Sequence, residues 1–155
     1  MEIANSNKES ISEMINTYRE DIQNLSKYLP WLMKMNGQNL QMYQKPEGSG
    51  EHAMQVPVYD GTLLSFVKIA QKSKLMRRNY VYTFSKNRLR TAQDEIRFVQ
   101  TAGVMDIPLV GDVLAKYILE GQRKGTVWNE GLYNGVYLAA VTKLKELVEY
   151  WTMPL

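Results

Sequence analysis

The chain has no cysteine and a single histidine. The first absence excludes disulfides, thiolate metal sites and thiol nucleophiles together, and it suits a reducing, cytoplasmic setting. The second leaves acid–base chemistry at neutral pH to His52, which sits beside Gly48-Ser49-Gly50 in a stretch that reads as an exposed loop rather than a preorganised site. His, Cys and acid clusters at ligand spacing are missing, so neither a metal nor a cofactor is expected. No run approaches the roughly 20 apolar residues of a membrane span, and Met1 to Asn7 lacks the basic-then-apolar order of a secretion signal. A membrane partner is not expected. Of the carboxylate pairs, Glu20 with Asp21 lies on a helix, and Glu146 with Glu149, beside Lys143 and Lys145, reads as helix-surface patterning. Without a catalytic constellation, the expectation is a protein that is not an enzyme.

What is present is enough for one core. With 155 residues, 45% hydrophobic and 23% charged, the chain can bury roughly 70% of the surface its unfolded form exposes, and a single domain over 1–155 is expected. The periodicity is helical. Ile11, Ile15, Tyr18, Ile22, Leu25 and Leu29 recur at alternating spacings of four and three, a heptad seam introduced by Ser10 and Glu13 as a capping box and stopped by Pro30. Asp60 is placed to cap a helix from about Thr62 to Leu75. Thr91 with Asp94 and Glu95 starts another that lasts to Gly103, and Asp106 with Pro108 starts a third. Thr126 is placed to cap a last helix from about Val127 to Trp151. These five segments predict an all-α, irregular bundle with a long loop or arm at about 36–60. Within Asn79–Ser85, aromatic and β-branched residues suit a strand, which Val56–Tyr59 is placed to pair with as a minor two-stranded ribbon on the helices. A further helical turn is the other reading of that segment.

Charge is sorted along the chain. Lys68, Lys72, Lys74, Arg77, Arg78, Lys86, Arg88, Arg90 and Arg97 face only Asp94 and Glu95 between Thr62 and Arg97, a local balance of about +7 against about −4 for the rest. Cations on a polar helix side solvate a surface and complement a helix C-terminus. They also release counterions from a nucleic acid, and Tyr80, Tyr82 and Phe84 between them offer stacking faces. About five such cations on duplex phosphates would give a log–log salt slope of roughly −4 to −5. No helix-turn-helix, RNP, KH or zinc-finger order is present.

Gly131 and Gly135 lie one turn apart in the expected last helix, where glycine costs up to about 1 kcal/mol relative to alanine, so close approach of another helix or of a small ligand is expected there. Gly121-Gln122-Arg123-Lys124-Gly125 lacks the Gly-Lys-Ser/Thr ending of a P-loop and reads as a turn. The nine methionines suit adaptable core filling, the commoner role, or a plastic binding surface. The stretch Leu114-Ala115-Lys116-Tyr117-Ile118-Leu119-Glu120-Gly121, continued by Lys124 to Glu130 and Leu144-Lys145-Glu146-Leu147, resembles small uncharacterised helical bacterial proteins, a likeness over roughly the last third that implies a helical fold and no activity. The expected function is therefore a cytoplasmic, non-enzymatic interaction or accessory protein. It would self-associate through the Ile11–Leu29 seam or through Trp128, Tyr133 and Tyr137. Nucleic-acid binding through residues 68–97 is the rival, and a ligand pocket near Gly131 and Gly135 the third reading.

Overall fold

The heptad spacing folds as expected at its centre. In the computed structural model, which describes residues 2–40, 42–44 and 56–152, helix α1 runs over Glu2–Ser26 and buries Ile15, Ile22 and Leu25, with Ile11 and Tyr18 half-buried against the same core. Pro30 does more than stop this helix. It lies in the first turn of a second one, α2 (Leu29–Met35), where its missing N–H would have had no intrahelical partner and its fixed φ already suits a helix.

Two three-residue strands follow, β1 (Met42–Gln44) and β2 (Val56–Val58), paired antiparallel with Met42 opposite Val58 and Gln44 opposite Val56. The expected ribbon thus forms with another partner. Part of the 36–60 arm, including Gly48 to Gly50 and His52, lies outside the described residues. Helix α3 (Gly61–Lys72) is capped by Asp60, whose Oδ1 accepts from the backbone N–H groups of Thr62 (2.8 Å) and Leu63 (3.0 Å).

Asn79–Ser85 is not a strand. Tyr80–Lys86 forms helix α4, because Tyr80, Thr83 and Phe84 at helical spacing turn toward the bundle and no strand among the described residues lies alongside to pair with. Helix α5 (Ala92–Gln100) opens with the expected Thr91–Asp94 capping box. A 3-10 turn at Val104–Asp106 leads into α6 (Ile107–Glu120), with Pro108 in its first turn. The expected last helix is two, α7 (Thr126–Tyr133) and α8 (Val136–Thr152). The break falls at Gly135, whose φ of +86° is left-handed backbone that favours glycine, and Asn134 Oδ1 accepts the N–H of Val136 at 3.0 Å. Thr126 does not cap: its hydroxyl is buried without a hydrogen-bond partner.

The described residues therefore hold eight α-helices rather than about five, the additions being α2, α4 and α7. One contiguous apolar cluster joins them, from Ile15 and Leu25 through Phe66, Ile107, Leu114 and Ile118 to Tyr137 and Leu144. Each fully buried aliphatic side chain in it contributes about 1.5–3 kcal/mol. Every helix except α4 supplies at least one buried apolar residue; the sole buried side chain of α4 is Thr83. No helix among the described residues is long and apolar enough to cross a membrane.

Candidate polyanion-binding face

The one side chain that α4 buries fully is polar, and so is its anchor. Asp112 lies on α6 among Val110, Gly111, Val113 and Leu114 and is fully buried. Its carboxylate accepts from Arg77 Nε (2.8 Å) and Nη2 (2.5 Å), a bidentate ion pair, and from the Thr83 hydroxyl at 2.6 Å. Hydrogen bonding and charge from Asp112 raise the guanidinium pKa of Arg77 still further, against the opposing effect of desolvation. One turn along α6, Lys116 Nζ sits 5.1 Å from the Phe84 ring centroid, and one turn beyond that Glu120 stands beside Tyr80. Residues 112, 116 and 120 share one helix side, so α4 docks on a charged stripe of α6.

A second buried carboxylate adjoins the first group. Glu95 of α5 is 1% exposed, accepts from the Tyr117 hydroxyl (2.9 and 3.0 Å to its two oxygens) and lies 3.5 Å from Lys116 Nζ. Tyr117 in turn accepts from Asn134 Nδ2 at 2.9 Å. Burial raises the carboxyl pKa of Glu95, with Lys116 and Tyr117 pulling the other way, while burial and then Glu95 raise the Tyr117 hydroxyl. The sequence marks Glu95 only as part of a helix start. Two signals were available: Asp112 interrupts an apolar run, and Glu95 shares the i, i+4, i+7 stripe of Val99 and Ala102, both buried. Both carboxylates are closed off from solvent and have hydrogen-bonded partners, which makes them supports rather than reacting groups in this conformation.

The outer side of α4 is the reverse of its inner side. Val81 and Tyr82 are 60% and 67% exposed, Lys86 Nζ stands 5.9 Å from the Tyr82 ring centroid, and Arg78, Ser85, Arg88 and Arg90 are exposed around them. No acid occurs from Gly61 to Gln93. The helix ends on a Schellman motif: the N–H of Leu89 bonds the Phe84 carbonyl (3.0 Å) and that of Arg88 the Ser85 carbonyl (3.3 Å). The left-handed residue this motif requires is usually glycine. Here it is Arg88, with φ +53°.

The nine cations do not form one patch. Arg77 is engaged with Asp112. Lys74 starts a segment tied to α1, its backbone N–H donating to Asp21 at 2.9 Å. Lys68 and Lys72 are exposed on α3, which packs on α1, α6 and α7, whereas α4 packs on α6. Arg97 pairs with Asp94 at 3.1 Å, and the two share a shallow groove of about 290 Å³ with Arg88, Leu89 and Phe98, so the end of α4 and the side of α5 do meet. Arg78, Lys86, Arg88 and Arg90 remain as exposed cations on or flanking α4.

The other sequence-derived candidates fare differently. Of the seam proposed for self-association, Ile15, Ile22, Leu25 and Leu29 are buried inside the chain and Ile11 and Tyr18 pack against them. An amphipathic stripe serves an intramolecular bundle as readily as a dimer, and here α3 and α8 cover it. Trp128, Tyr133 and Tyr137 form no common surface. Tyr137 is fully buried, Trp128 Nε1 donates to the Ile118 carbonyl at 2.9 Å, and only Tyr133 is exposed. Gly131 is where α7 and α8 approach closely, since a Cβ there would run into the Tyr137 ring. Gly135 borders an open groove of about 610 Å³ between α2, α5 and α8. Its central polar groups have partners, Asn134 on Tyr117 and Val136, and Lys143 Nζ on the Gln100 carbonyl at 2.9 Å. Among the described residues no group of three His, Cys or acid side chains could hold a metal ion. Comparison with protein-family models, curated proteins and solved structures gives no match.

Proposed function

We propose that this is a cytoplasmic, non-enzymatic interaction protein that binds an anionic macromolecule through the outer face of α4. The observation that carries the reading is the union of exposed apolar and cationic side chains, Val81, Tyr82, Arg78, Lys86, Arg88 and Arg90, on and flanking a helix anchored through Thr83 to the buried Asp112, which also pairs with Arg77. A helix fixed in this way needs no ordering of its own backbone on binding. Arg88 supports the same reading. Local strain is tolerated where function asks for it, and a cation occupies the one position of the face where glycine would be the more stable choice. Lack of cysteine supports the compartment.

The test is retention on immobilised heparin as salt is raised. Charge removal at Arg78, Lys86, Arg88 and Arg90, each changed to Gln, is expected to abolish retention, while Lys68→Gln with Lys72→Gln on α3 is expected to leave most of it. Equal loss from both sets would show diffuse charge attraction and remove the assignment to α4.

A further inference from the structure

We infer that the anion taken by α4 is an unpaired nucleic-acid strand, with Tyr82 as a base-stacking platform; the inference rests on the polyanion reading above. Three features of the face favour a strand over a duplex. A helix that reads duplex DNA carries base-edge donors such as Arg, Asn or Gln on its groove-facing side. In α4 the exposed side chains before the last turn are Val81 and Tyr82, and the cations flank them, Arg78 before the helix and Lys86, Arg88 and Arg90 at and beyond its end. Second, a ring that is 67% exposed gains little from a duplex, whose bases already stack on each other, whereas an unpaired base has a free face for it. Third, Lys86 Nζ lies over one face of that ring, 5.9 Å from its centroid, so a phosphate-seeking charge and an aromatic ring stand together, the pairing of elements that sequence-tolerant single-strand binders use.

The chemistry asked of each residue is then distinct. Tyr82 takes a base, Val81 covers its edge or the adjoining sugar, and Arg78, Lys86, Arg88 and Arg90 contact successive phosphates. Four phosphate contacts on a single strand give a log–log salt slope of about −3.

The experiment is fluorescence anisotropy of the full chain with three labelled probes across a salt series: a thymidine oligonucleotide, a duplex of equal length and polyglutamate. The expected result is tightest binding to the oligonucleotide with a slope near −3, at least about ten-fold weaker binding to the other two probes, and about ten-fold or greater loss for Tyr82→Ala that Tyr82→Phe does not show. Tyr82 is exposed, so both variants are expected to melt as the parent does, and melting is measured alongside. If polyglutamate or the duplex binds as tightly and Tyr82→Ala changes nothing, the strand inference fails while the polyanion reading stands. If none of the three probes binds at low salt, both fail.

Discussion

Two helix pairs in this molecule are held together by opposite means. Helices α1 and α8 meet through an apolar seam in which Ile15, Ile22, Leu25, Leu144 and Val148 are buried. Helix α4 meets α6 through Thr83 and Asp112, the latter also held by Arg77 just before α4, with Lys116 under Phe84 and Glu120 beside Tyr80. The apolar contact is a sum of many small terms, and losing one methyl group removes one of them. The polar contact is closer to all-or-none, because the partner left behind keeps a buried charge with nothing to compensate it. The difference explains how α4 is held although it gives the core no fully buried apolar side chain. It also explains how α4 turns Val81, Tyr82 and its cations outward without offering an apolar face that would compete for the core.

The comparison is broken most severely at Arg77. Arg77→Met leaves the Asp112 carboxylate buried with only the Thr83 hydroxyl, and about 4 kcal/mol of stability is expected to be lost in urea unfolding. Replacing Arg77, Thr83 and Asp112 together by Met, Val and Leu is expected to recover most of that loss, since no charge then remains buried. If the triple variant is as unstable as Arg77→Met, the seam is held by packing and not by charge. On the other side of the comparison, Leu25→Ala is expected to cost about 3 kcal/mol, and the loss should stay constant between low and high salt. A salt-dependent loss at Leu25 would mean that the two seams are not independent.

The apolar seam was legible in the sequence and the polar one was not, for a physical reason. Ile11 to Leu29 repeats every three or four residues, and the pattern is visible whatever covers it; what covers it is invisible, so dimer and bundle read alike. Asp60, Thr91 and Pro108 announced helix starts because capping is local chemistry. Helix α4 was obscured because Tyr-Val-Tyr-Thr-Phe has the composition of a strand, and its helicity depends on Asp112, twenty-nine positions beyond Thr83. Glu95 and Lys116 are likewise far apart in the chain, so nothing in the local sequence pairs them. At the face itself, the excess of cations was legible, but not the separation of Lys68 and Lys72 from α4 or the engagement of Arg77.

Glu95 sharpens the comparison through pH. Its carboxyl pKa is raised in the folded chain, chiefly by burial, so the native state binds that proton more tightly than the unfolded state. The contribution to stability is therefore fully present below the ordinary carboxylate range, about 4.3, and is lost as pH rises from there through the raised folded value. The decline amounts to about 1.4 kcal/mol for each pH unit separating the two values. Glu95→Gln has no such proton, keeps an acceptor for Tyr117, and leaves Lys116 a third exposed and able to meet water. Thermal unfolding from pH 4 to 8 should show the variant gaining on the parent as pH rises. A constant difference would mean that Glu95 titrates alike in both states.

The smallest effect has the opposite sign and bears most directly on function. Arg88 holds φ at +53° in the position after α4 where a Schellman motif favours glycine. A non-glycine residue in left-handed backbone costs roughly 1–2 kcal/mol, and glycine returns up to about 1 kcal/mol of that as lost chain entropy. Arg88→Gly is therefore expected to stabilise the fold by about 0.5 kcal/mol in urea unfolding, with both backbone hydrogen bonds of the motif retained. The same change removes one of four cations, so the salt slope for a single strand should fall by about 0.7. A residue that is better replaced for folding and worse replaced for binding is held for what it contacts, and that divergence is the result expected at Arg88. If Arg88→Gly destabilises the chain and leaves anion binding unchanged, the guanidinium serves the fold, and the face of α4 loses its second line of support.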